Sequence, residues 1–234
     1  MAKIIMFGNQ KGGVGKSLCA TMTAAALGQA PFNFKVALVD LDEQKTIASL
    51  RQVDKDSYPP DLAEPFAVFD FSLPDLESRI GALDKDYEII ILDAAGKLDA
   101  RADVLQQEIS RALMFSDHLF IPFVAGFGNL AATFSYLRFV HTVQKARQLS
   151  QRSLSFCGFI NQFRTRSRVN DFLLQDIATI QQTQHLPMMQ HSLRDYAAYK
   201  EADTFNSFYD PLSNDSAKVN FSEWLNEFVE IIKN

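Results

Sequence analysis

A glycine-rich loop with two lysines follows the first short apolar segment of the chain. Positions 9–17 read Asn-Gln-Lys-Gly-Gly-Val-Gly-Lys-Ser, and a helix-forming sequence begins directly after them. Glycines allow successive backbone N–H groups to turn inward around phosphate oxygens, and the start of the helix adds partial positive charge. In such a loop Lys16 contacts the β- and γ-phosphates, and the Ser17 hydroxyl ligates Mg²⁺. The predicted phosphate-binding residues are Gly12, Gly13, Val14, Gly15, Lys16, Ser17 and Leu18.

Acidic residues end two further apolar segments. Asp40 and Asp42 follow Val-Ala-Leu-Val at 36–39, and Asp93 follows Ile-Ile-Ile-Leu at 89–92. Side chains two apart at the end of a strand point the same way, so Asp40 and Asp42 can both face a crevice beyond the carboxyl ends of the strands. An Asp that ends an apolar strand beside a phosphate loop holds the outer shell of the metal. One such Asp is often only a helix cap, but three of them with a phosphate loop predict a nucleotide–Mg²⁺ site.

Short β-type apolar runs alternate with longer helical patterns along the whole chain. This alternation predicts an α/β fold with a doubly wound, mostly parallel sheet and helices on both faces. The fully apolar runs at 89–92 and 119–121 are typical of strands that are buried on both sides. The predicted strands are Lys3–Phe7, Lys35–Val39, Phe66–Phe69, Glu88–Leu92, His118–Phe123, Leu154–Ile160 and His185–Met189.

Helical periodicity occupies the segments between these strands. The predicted helices are Lys16–Ala30, Gln44–Val53, Leu73–Leu83, Arg101–Phe115, Asn129–Leu149, Arg168–Gln181, Ser192–Ala202 and Ala217–Lys233. The segments Asp54–Pro65 and Asn206–Asp215 are predicted loops, and neither is long enough to link two domains. We therefore expect residues 1–234 to form one domain.

The phosphate loop departs from the common G-x-x-x-x-G-K-[ST] pattern, because Gln10 stands where glycine is expected and Lys11 adds a second lysine. Lys-Gly-Gly-Val-Gly-Lys-Ser resembles the deviant loop of the ParA/MinD family of ATPases, and the acidic segment resembles that family's Asp-x-Asp-x-Gln switch. The resemblance implies that Lys11 crosses a dimer interface to the partner's nucleotide. It also implies that Asp40 binds Mg²⁺ through water and that Asp42 positions or polarises the attacking water. Gly96 would leave a backbone N–H near the γ-phosphate.

The end of the sixth predicted strand bears on the nucleotide base. Guanine-specific relatives carry Asn-Lys-x-Asp there, whereas this chain has Asn-Gln-Phe-Arg at 161–164. The cation of Arg164 cannot accept hydrogen bonds from the guanine N1–H and N2–H₂ groups, so ATP is favoured over GTP. Asn161 resembles the family's adenine-contacting asparagine, and the alternative is a turn residue that closes the strand.

Charge is distributed unevenly over the chain, which has a net charge of −5. The 53 residues from His118 to Asn170 contain seven basic residues but no Asp or Glu. The rest of the chain holds 16 basic and 28 acidic residues. Buried elements lack charges of both signs, so burial explains the missing acids but not the retained bases. A region of one sign is typical of a surface for a polyanion, which we take to be DNA. The predicted DNA-binding residues are Arg138, Lys145, Arg147, Arg152, Arg164, Arg166 and Arg168.

Composition excludes several classes of protein. With 47% hydrophobic residues among 234, the chain is not disordered. No run approaches 18 apolar residues, the apolar N-terminal run is too short for a signal peptide, and Cys19 and Cys157 lack metal-ligand spacing. We expect a cytoplasmic protein with reduced cysteines.

The family resemblance extends over nearly the whole chain, and its short N-terminus resembles the short ParA type of partition ATPase. This implies a weak basal ATPase that uses ATP and Mg²⁺ and forms a sandwich homodimer on binding ATP. It further implies non-specific binding to double-stranded DNA, nucleoid association in the ATP state, no membrane binding, and a ParB-like centromere-binding adaptor.

Four alternatives stay open. A MinD-like membrane-cycling ATPase needs a basic amphipathic C-terminal helix, whereas the last helix here carries Glu223, Glu227 and Glu230 on its polar side. A ParA-like ATPase can also position a protein cargo. A metabolic P-loop enzyme would need an acceptor pocket, for which no motif is recognisable, and an iron-protein reductase would need cysteines at cluster-ligating positions.

Overall fold

The computed structural model describes residues 1–9, 12–94, 102–126 and 129–233, and for 102–108 and 129–133 it describes the backbone alone. Within these residues six strands form one sheet, and their bounds agree with the predicted ones to within one residue. The strands are β1 Lys3–Phe7, β2 Val36–Asp40, β3 Ala67–Asp70, β4 Ile89–Asp93, β5 His118–Phe123 and β6 Ser155–Ile160. The sheet order is β3-β2-β4-β1-β5-β6, and each neighbouring pair is parallel.

Helices connect the strands. Those in the described part of the chain are α1 Lys16–Leu27, α2 Thr46–Ser57, α3 Leu73–Asp86, α4 Ala102–Phe115, α5 Asn129–Leu149, α6 Arg168–Gln184, α7 Ala197–Lys200 and α8 Ser216–Lys233. A strand followed by a helix and then a parallel strand is the βαβ unit, which produces an open sheet covered on both faces.

Alternate side chains of the central strands enter two separate cores, as the pleat of a strand requires. Ile5 and Phe7 of β1 pack into one core together with α1 and α8. Ile4 and Met6 of the same strand pack into the other core, which is formed with α3, α4, α5 and α6. Helices therefore cover both faces, and the predicted doubly wound α/β fold is confirmed.

The apolar stripe of the last helix belongs to the first core. The six residues predicted from helical spacing are all buried, and Trp224 packs against Phe7, Phe159, Phe221 and Phe228. The expectation that this stripe packs on the domain is confirmed, and the buried residues are Phe221, Trp224, Leu225, Phe228, Val229 and Ile232.

One predicted strand is wrong. The segment His185–Met189 runs beside β6 but pairs only through a bridge between Gly158 and Met188. Gly158 donates to the Pro187 carbonyl at 2.8 Å and accepts from Met189 N–H at 2.8 Å. Pro187 has no N–H to donate, and His185 adopts a left-handed conformation (φ 49) at the end of α6, so a regular ladder cannot form.

The helix predicted over Ser192–Ala202 is also wrong for most of its length, because only Ala197–Lys200 is helical. Leu193 and Asp195 instead bond in extended conformation to the chain that leaves β6. Leu193 N–H donates to Ile160 at 2.9 Å, and Phe163 N–H donates back to Leu193 at 3.0 Å. Tertiary hydrogen bonds thus override a local helical pattern.

The bounds of α1 and α2 differ from the prediction. α1 ends at Leu27 rather than Ala30, and Pro31, which follows, has no N–H with which to continue the helix. α2 continues to Ser57, so the start of the predicted loop Asp54–Pro65 is helical. Its Asp54 is satisfied by the Thr204 N–H and hydroxyl at 2.8 and 2.7 Å, and therefore does not disrupt the helix.

Arg147 requires a correction, because its side chain is 2% exposed and cannot contact DNA. Its guanidinium donates to the carbonyl oxygens of Leu113 and Met114 at 3.0 Å each, and also to that of Ser116. These carbonyls lie at the C-terminal end of α4, where four backbone acceptors lack helical partners. Arg147 on α5 therefore caps α4 and joins the two helices.

Replacing Arg147 with Gln should lower the free energy of unfolding by about 2–4 kcal/mol, because buried carbonyls lose their charged donor. Urea denaturation followed by circular dichroism measures this. Lys145→Gln, at an exposed position on the same helix, is the control and should change stability by less than about 0.5 kcal/mol. Equal effects of the two variants would contradict the capping role.

Candidate nucleotide-binding site

The described part of the phosphate loop, residues 12–17, leads into α1, and Gly13 and Gly15 in it have positive φ. Gly15 is the residue before α1 and has φ +84, a left-handed value that glycine adopts without steric cost. A Cβ added there would stand 2.5 Å from the Asn161 amide nitrogen. No side chain caps α1, so its first N–H groups point to the loop and can bind an anion.

A pocket of about 240 Å³ lies beside this loop. It brings the phosphate loop together with Asp42 from the segment after β2, whereas the predicted acids Asp40 and Asp93 do not line it. Of the predicted loop residues in the described part, Val14 alone does not line the pocket. The lining residues are Gly12, Gly13, Gly15, Lys16, Ser17, Leu18, Asp42, Gln44, Thr46 and Ala94.

Thr46 and Ala94 line the pocket but were not predicted as site residues. Thr46 is the first residue of α2, and Ala94 directly follows the strand-terminal Asp93. Neither belongs to a recognisable motif, so their only signal in the sequence is adjacency to the acidic segments. Gln44 was recognised as part of the Asp-x-Asp-x-Gln pattern without an assigned role.

Asp93 is buried at the end of β4, with 1% of its surface exposed. Burial raises the pKa of its carboxyl from the ordinary value of 3.8 to about 7, although a hydrogen bond from the Ser17 hydroxyl opposes the shift. Its Oδ1 atom has no hydrogen-bond partner among the described residues. An unsatisfied buried carboxylate oxygen beside a Ser hydroxyl suits a hydrated cation.

Lys16 is also buried, and burial lowers the pKa of its ammonium while the charges of Asp93 and Asp42 raise it. The three groups therefore form an electrostatic cluster at the base of the pocket. The negative charges of Asp93 and Asp42 thus favour a charged ammonium at Lys16, which is the form that binds phosphate.

Asp40 makes backbone hydrogen bonds that the family resemblance does not imply. Its Oδ2 accepts from the N–H groups of Ile47 and Ala48 at 3.0 and 3.2 Å, and its Oδ1 accepts from Asp42 N–H at 3.2 Å. The carboxylate thus caps α2 from the end of β2. Burial raises the pKa of Asp40 against these hydrogen bonds. Its water-mediated contact with Mg²⁺ stays a prediction.

Asp42 lies in the loop after β2 and lines the pocket opposite the phosphate loop. Its Oδ1 accepts from Gln44 N–H at 2.9 Å, which directs the carboxylate within its own turn. The position agrees with a carboxylate that acts on water beside bound phosphate.

Asn161 follows β6 and is held against the phosphate loop. Its Nδ2 donates to the Val14 carbonyl at 2.9 Å, and its Oδ1 accepts from Gln162 N–H at 2.9 Å. Gln162 Nε2 reaches the Gly13 carbonyl at 3.4 Å. The amide therefore braces the loop, and its predicted contact with adenine stays a prediction.

Lys11 and Gly96 lie outside the described residues, so their predicted roles stay predictions. No group of three or more His, Cys, Asp or Glu side chains within the described ranges could hold a metal ion alone. A Mg²⁺ ion here would take one ligand from the Ser17 hydroxyl and the others from phosphate oxygens and water.

The predicted DNA-binding residues do not form one continuous region. Six of the seven are exposed, and Arg147 is the exception. Arg152 precedes β6 and Arg164 follows it, so a strand about 20 Å long separates them. Arg164, Arg166 and Arg168 follow the carboxyl end of β6, on the end of the sheet where the pocket also lies, and we call these three residues the arginine loop. Arg164 pairs with Asp195.

These features define a P-loop nucleotide-binding protein: a parallel sheet whose first strand leads through a glycine-rich loop into a helix, with acids at neighbouring strand ends. The family model described as CobQ/CobB/MinD/ParA nucleotide binding domain matches residues 5–207. The chain belongs to this family. No curated protein sequence gives a significant match.

Several solved structures share the fold over almost their whole length. A plasmid partition protein from Borrelia burgdorferi is 20% identical, with a TM-score of 0.66, and the match covers 98% of this chain and 99% of that one. Cobyrinic acid a,c-diamide synthase from Mycobacterium smegmatis is 15% identical, with a TM-score of 0.68, and the match covers 100% of this chain and 96% of that one. An ATP complex of a Cyanothece McdA variant is 16% identical, with a TM-score of 0.70, and the match covers 98% of this chain and 96% of that one. At these identities the likeness shows the fold alone.

In the described part of the chain, every helix is too short or too polar to cross a lipid bilayer.

Asp93→Asn should stabilise the nucleotide-free protein in EDTA, and the gain should depend on pH. A carboxyl with a raised pKa binds its proton more tightly when folded, so wild-type stability falls as pH rises from about 4 to about 7. Asn does not titrate. We expect a Tm advantage on the order of 5 °C at pH 8 that shrinks toward pH 5.

Differential scanning calorimetry between pH 5 and pH 8 measures this difference. The matched control is Asp61→Asn, at an exposed loop position, whose Tm should follow that of the wild type across the range. A Tm difference for Asp93→Asn that does not change with pH would show that the gain has another origin.

Proposed function

We propose that this chain is a ParA-type ATPase that dimerises on binding ATP, binds DNA without sequence preference and drives plasmid or chromosome partition with a ParB-like centromere-binding adaptor. The observation that carries the proposal is a single pocket lined by the phosphate loop, Lys16 and Asp42. It combines a site for a triphosphate with a carboxylate suited to act on water. Relatives of the same fold are described in complex with AMPPNP, with ATP, and with ADP and magnesium.

When bound, ATP supplies the phosphoryl group, and Mg²⁺ supplies the positive charge that neutralises it. Lys16 and the N–H groups of the loop and α1 bind the phosphates. The Ser17 hydroxyl would be the protein's ligand for the metal, and the Asp93 carboxylate would hold water that hydrates it. Asp42 holds the attacking water and accepts its hydrogen bond. Basal turnover is weak, because stable closure around the nucleotide is what the cycle requires.

Dimerisation rests on the family motif. The lysine at position 11 belongs to Lys-Gly-Gly-Val-Gly-Lys-Ser, in which it contacts the nucleotide of the partner subunit. The pocket opens beside the phosphate loop, so a second subunit could cover the triphosphate there. The fold is shared with a biosynthetic synthase as well as with partition proteins, and it is this lysine that favours the dimerising ATPase.

DNA binding is supported by the arginine loop, which is exposed at the same end of the sheet as the pocket. Asn161 and Gln162 connect the start of this segment to the backbone of the phosphate loop. A dimer would present the arginine loop twice, and two weak sites on one duplex bind more tightly than either alone. This arrangement lets an acidic protein bind DNA in its ATP state. We therefore propose that the protein is cytoplasmic and associates with the nucleoid when ATP is bound.

Two alternatives within the family differ in cargo. A protein assembly could replace the plasmid, and the adaptor would then bind that assembly. A MinD-like cycle would need an exposed amphipathic α8, whereas its apolar residues are buried here. Sedimentation with anionic liposomes and ATP tests this alternative, and pelleting in the absence of DNA would favour it.

Asp42→Ala should bind ATP with a Kd within about threefold of wild type but hydrolyse it at least about 100-fold more slowly, because water loses its carboxylate partner. It should also stay dimeric with ATP in gel filtration coupled to light scattering. Phosphate release and nucleotide fluorescence supply the other two measurements.

Asp61→Ala is the control and should behave as wild type. Adding Lys11→Ala to Asp42→Ala should keep ATP binding and lose the dimer. Wild-type hydrolysis by Asp42→Ala, or a double variant that dimerises normally, would refute the assigned roles. A wild-type protein that never hydrolyses ATP would refute the proposed function itself.

The double substitution Arg166→Gln with Arg168→Gln should weaken ATP-dependent DNA binding equally for unrelated duplexes. It should also reduce the slope of log K against log salt concentration by about two, since two phosphate contacts are lost. Fluorescence anisotropy with two duplexes of different sequence measures both. Arg164 is left unchanged because Asp195 shares its charge.

Lys85→Gln with Lys233→Gln removes the same charge from exposed positions elsewhere. If this control pair weakens binding as much as the arginine pair, the effect is one of net charge and the arginine loop is not the DNA surface.

A further inference from the structure

Lys45 has an unusual backbone conformation directly before α2. Its φ of 49° and ψ of 43° lie in the left-handed region, which glycine adopts freely and other residues adopt at a cost. Lys45 is the residue at the start of α2, yet its side chain does not cap that helix. Glycine would meet the backbone requirement better, so the lysine side chain needs an explanation of its own.

The side chain of Lys45 turns back to the edge of the sheet. Its Nζ donates to the carbonyl oxygens of Asp40 at 3.3 Å and Phe71 at 3.0 Å, and it pairs with the Asp70 carboxylate. Asp40 and Asp70 are register partners at the ends of β2 and β3. The ammonium, on a side chain that is 28% exposed, therefore spans the carboxyl ends of two neighbouring strands.

These bonds close the segment 41–45, which we call the switch loop, at both ends. At its start, Asp42 N–H donates to the Asp40 carboxylate at 3.2 Å. At its end, Lys45 N–H donates to the Asp42 carbonyl at 2.9 Å, while the Lys45 side chain returns to the Asp40 carbonyl. Asp42 lies inside this closed loop and faces the pocket, but Lys45 itself is not among the residues that line it.

We propose that Lys45 is a positioning residue: its tether to Asp40, Phe71 and Asp70 fixes the switch loop so that Asp42 keeps its place in the nucleotide pocket. The proposal rests on the proposed ATPase activity, in which Asp42 acts on water. The phosphate loop and Lys16 belong to other elements and do not depend on the tether. Loss of the tether should therefore slow turnover and leave nucleotide affinity unchanged.

Lys45→Met removes the charge and keeps most of the length of the unbranched side chain. We expect its kcat for ATP hydrolysis to fall about tenfold or more, since small displacements of a catalytic group are costly, while KM and the Kd for ADP stay within about twofold. Lys45→Arg keeps the charge and should recover most of the rate. Lys55→Met is the matched control, because Lys55 lies on the same helix and pairs with Glu64 away from the pocket.

Lys45→Gly separates the tether from the strain. Glycine accepts the left-handed conformation, so this variant should fold with an equal or higher Tm but show the same low kcat as Lys45→Met. Asp70→Asn should lower kcat as well, and the double variant with Lys45→Met should be no slower than the slower single variant, because both changes break one interaction. Multiplying effects would contradict the proposed tether.

Amide hydrogen exchange gives a readout that does not depend on hydrolysis. In Lys45→Met, exchange should accelerate in residues 41–48 and stay unchanged in α1. If exchange accelerates but the wild type never hydrolyses ATP, the tether stands and the proposed function falls. If wild type hydrolyses ATP and Lys45→Met changes neither kcat nor exchange, Lys45 is not a positioning residue. A parallel loss of nucleotide affinity would also overturn the proposal.

Discussion

The hydrogen-bond register of the parallel sheet determines which residues meet at the pocket. Phe7 pairs with Asp93, and Asp93 pairs with Asp40, so the ends of β1, β4 and β2 stand at one level. The phosphate loop, Asp93 and the switch loop all leave the sheet from that level. A shift of one residue in any of these pairs would turn the strand's side chains to the opposite face, and the core on both sides would be lost. The packing of the sheet therefore fixes the site.

Convergence of charged groups at buried strand ends has an electrostatic cost. Asp93 has a raised pKa, and Lys16 a lowered one, because both are removed from water. Asp40 avoids an unsatisfied charge by accepting three backbone N–H bonds, whereas Asp93 keeps an oxygen without a partner among the described residues. The two acids are register partners with different tasks: one builds the frame of the switch loop, and the other is left available for chemistry. Active sites commonly retain such unfavourable groups.

The strands were predictable, because a run such as 89–92 is apolar on both sides and can therefore only be a strand that is buried on both faces. Single side chains were less predictable. The family resemblance implies that Asp40 contacts Mg²⁺ through water, which stays a prediction, but it does not show that the amides of residues 47 and 48 bond to the carboxylate. In the sequence Arg147 does not differ from the exposed arginines, and only the structure shows that it is buried. The seven basic residues lie in one acid-free segment of the sequence, yet Arg152 and Arg164 lie at opposite ends of β6. The contacts that bury Arg147 join α5 to α4, and a local sequence pattern does not reveal contacts between residues so far apart in the chain.

The two helices that leave the pocket, α1 and α2, are both hydrogen-bonded to one segment, residues 204–205. Arg51 of α2 donates to the Thr204 hydroxyl at 2.9 Å and carbonyl at 3.1 Å, and Gln29, just after α1, donates to the Phe205 carbonyl at 2.8 Å. The middle of α2 and the residue just after the end of α1 are thus both anchored to residues 204–205, while Asp40 holds the start of α2. Tilting of α2 against α1 would break buried hydrogen bonds of a charged side chain, which is costly. Motion of Asp42 relative to the phosphate loop must therefore arise within the switch loop itself, where Lys45 supplies the restraint.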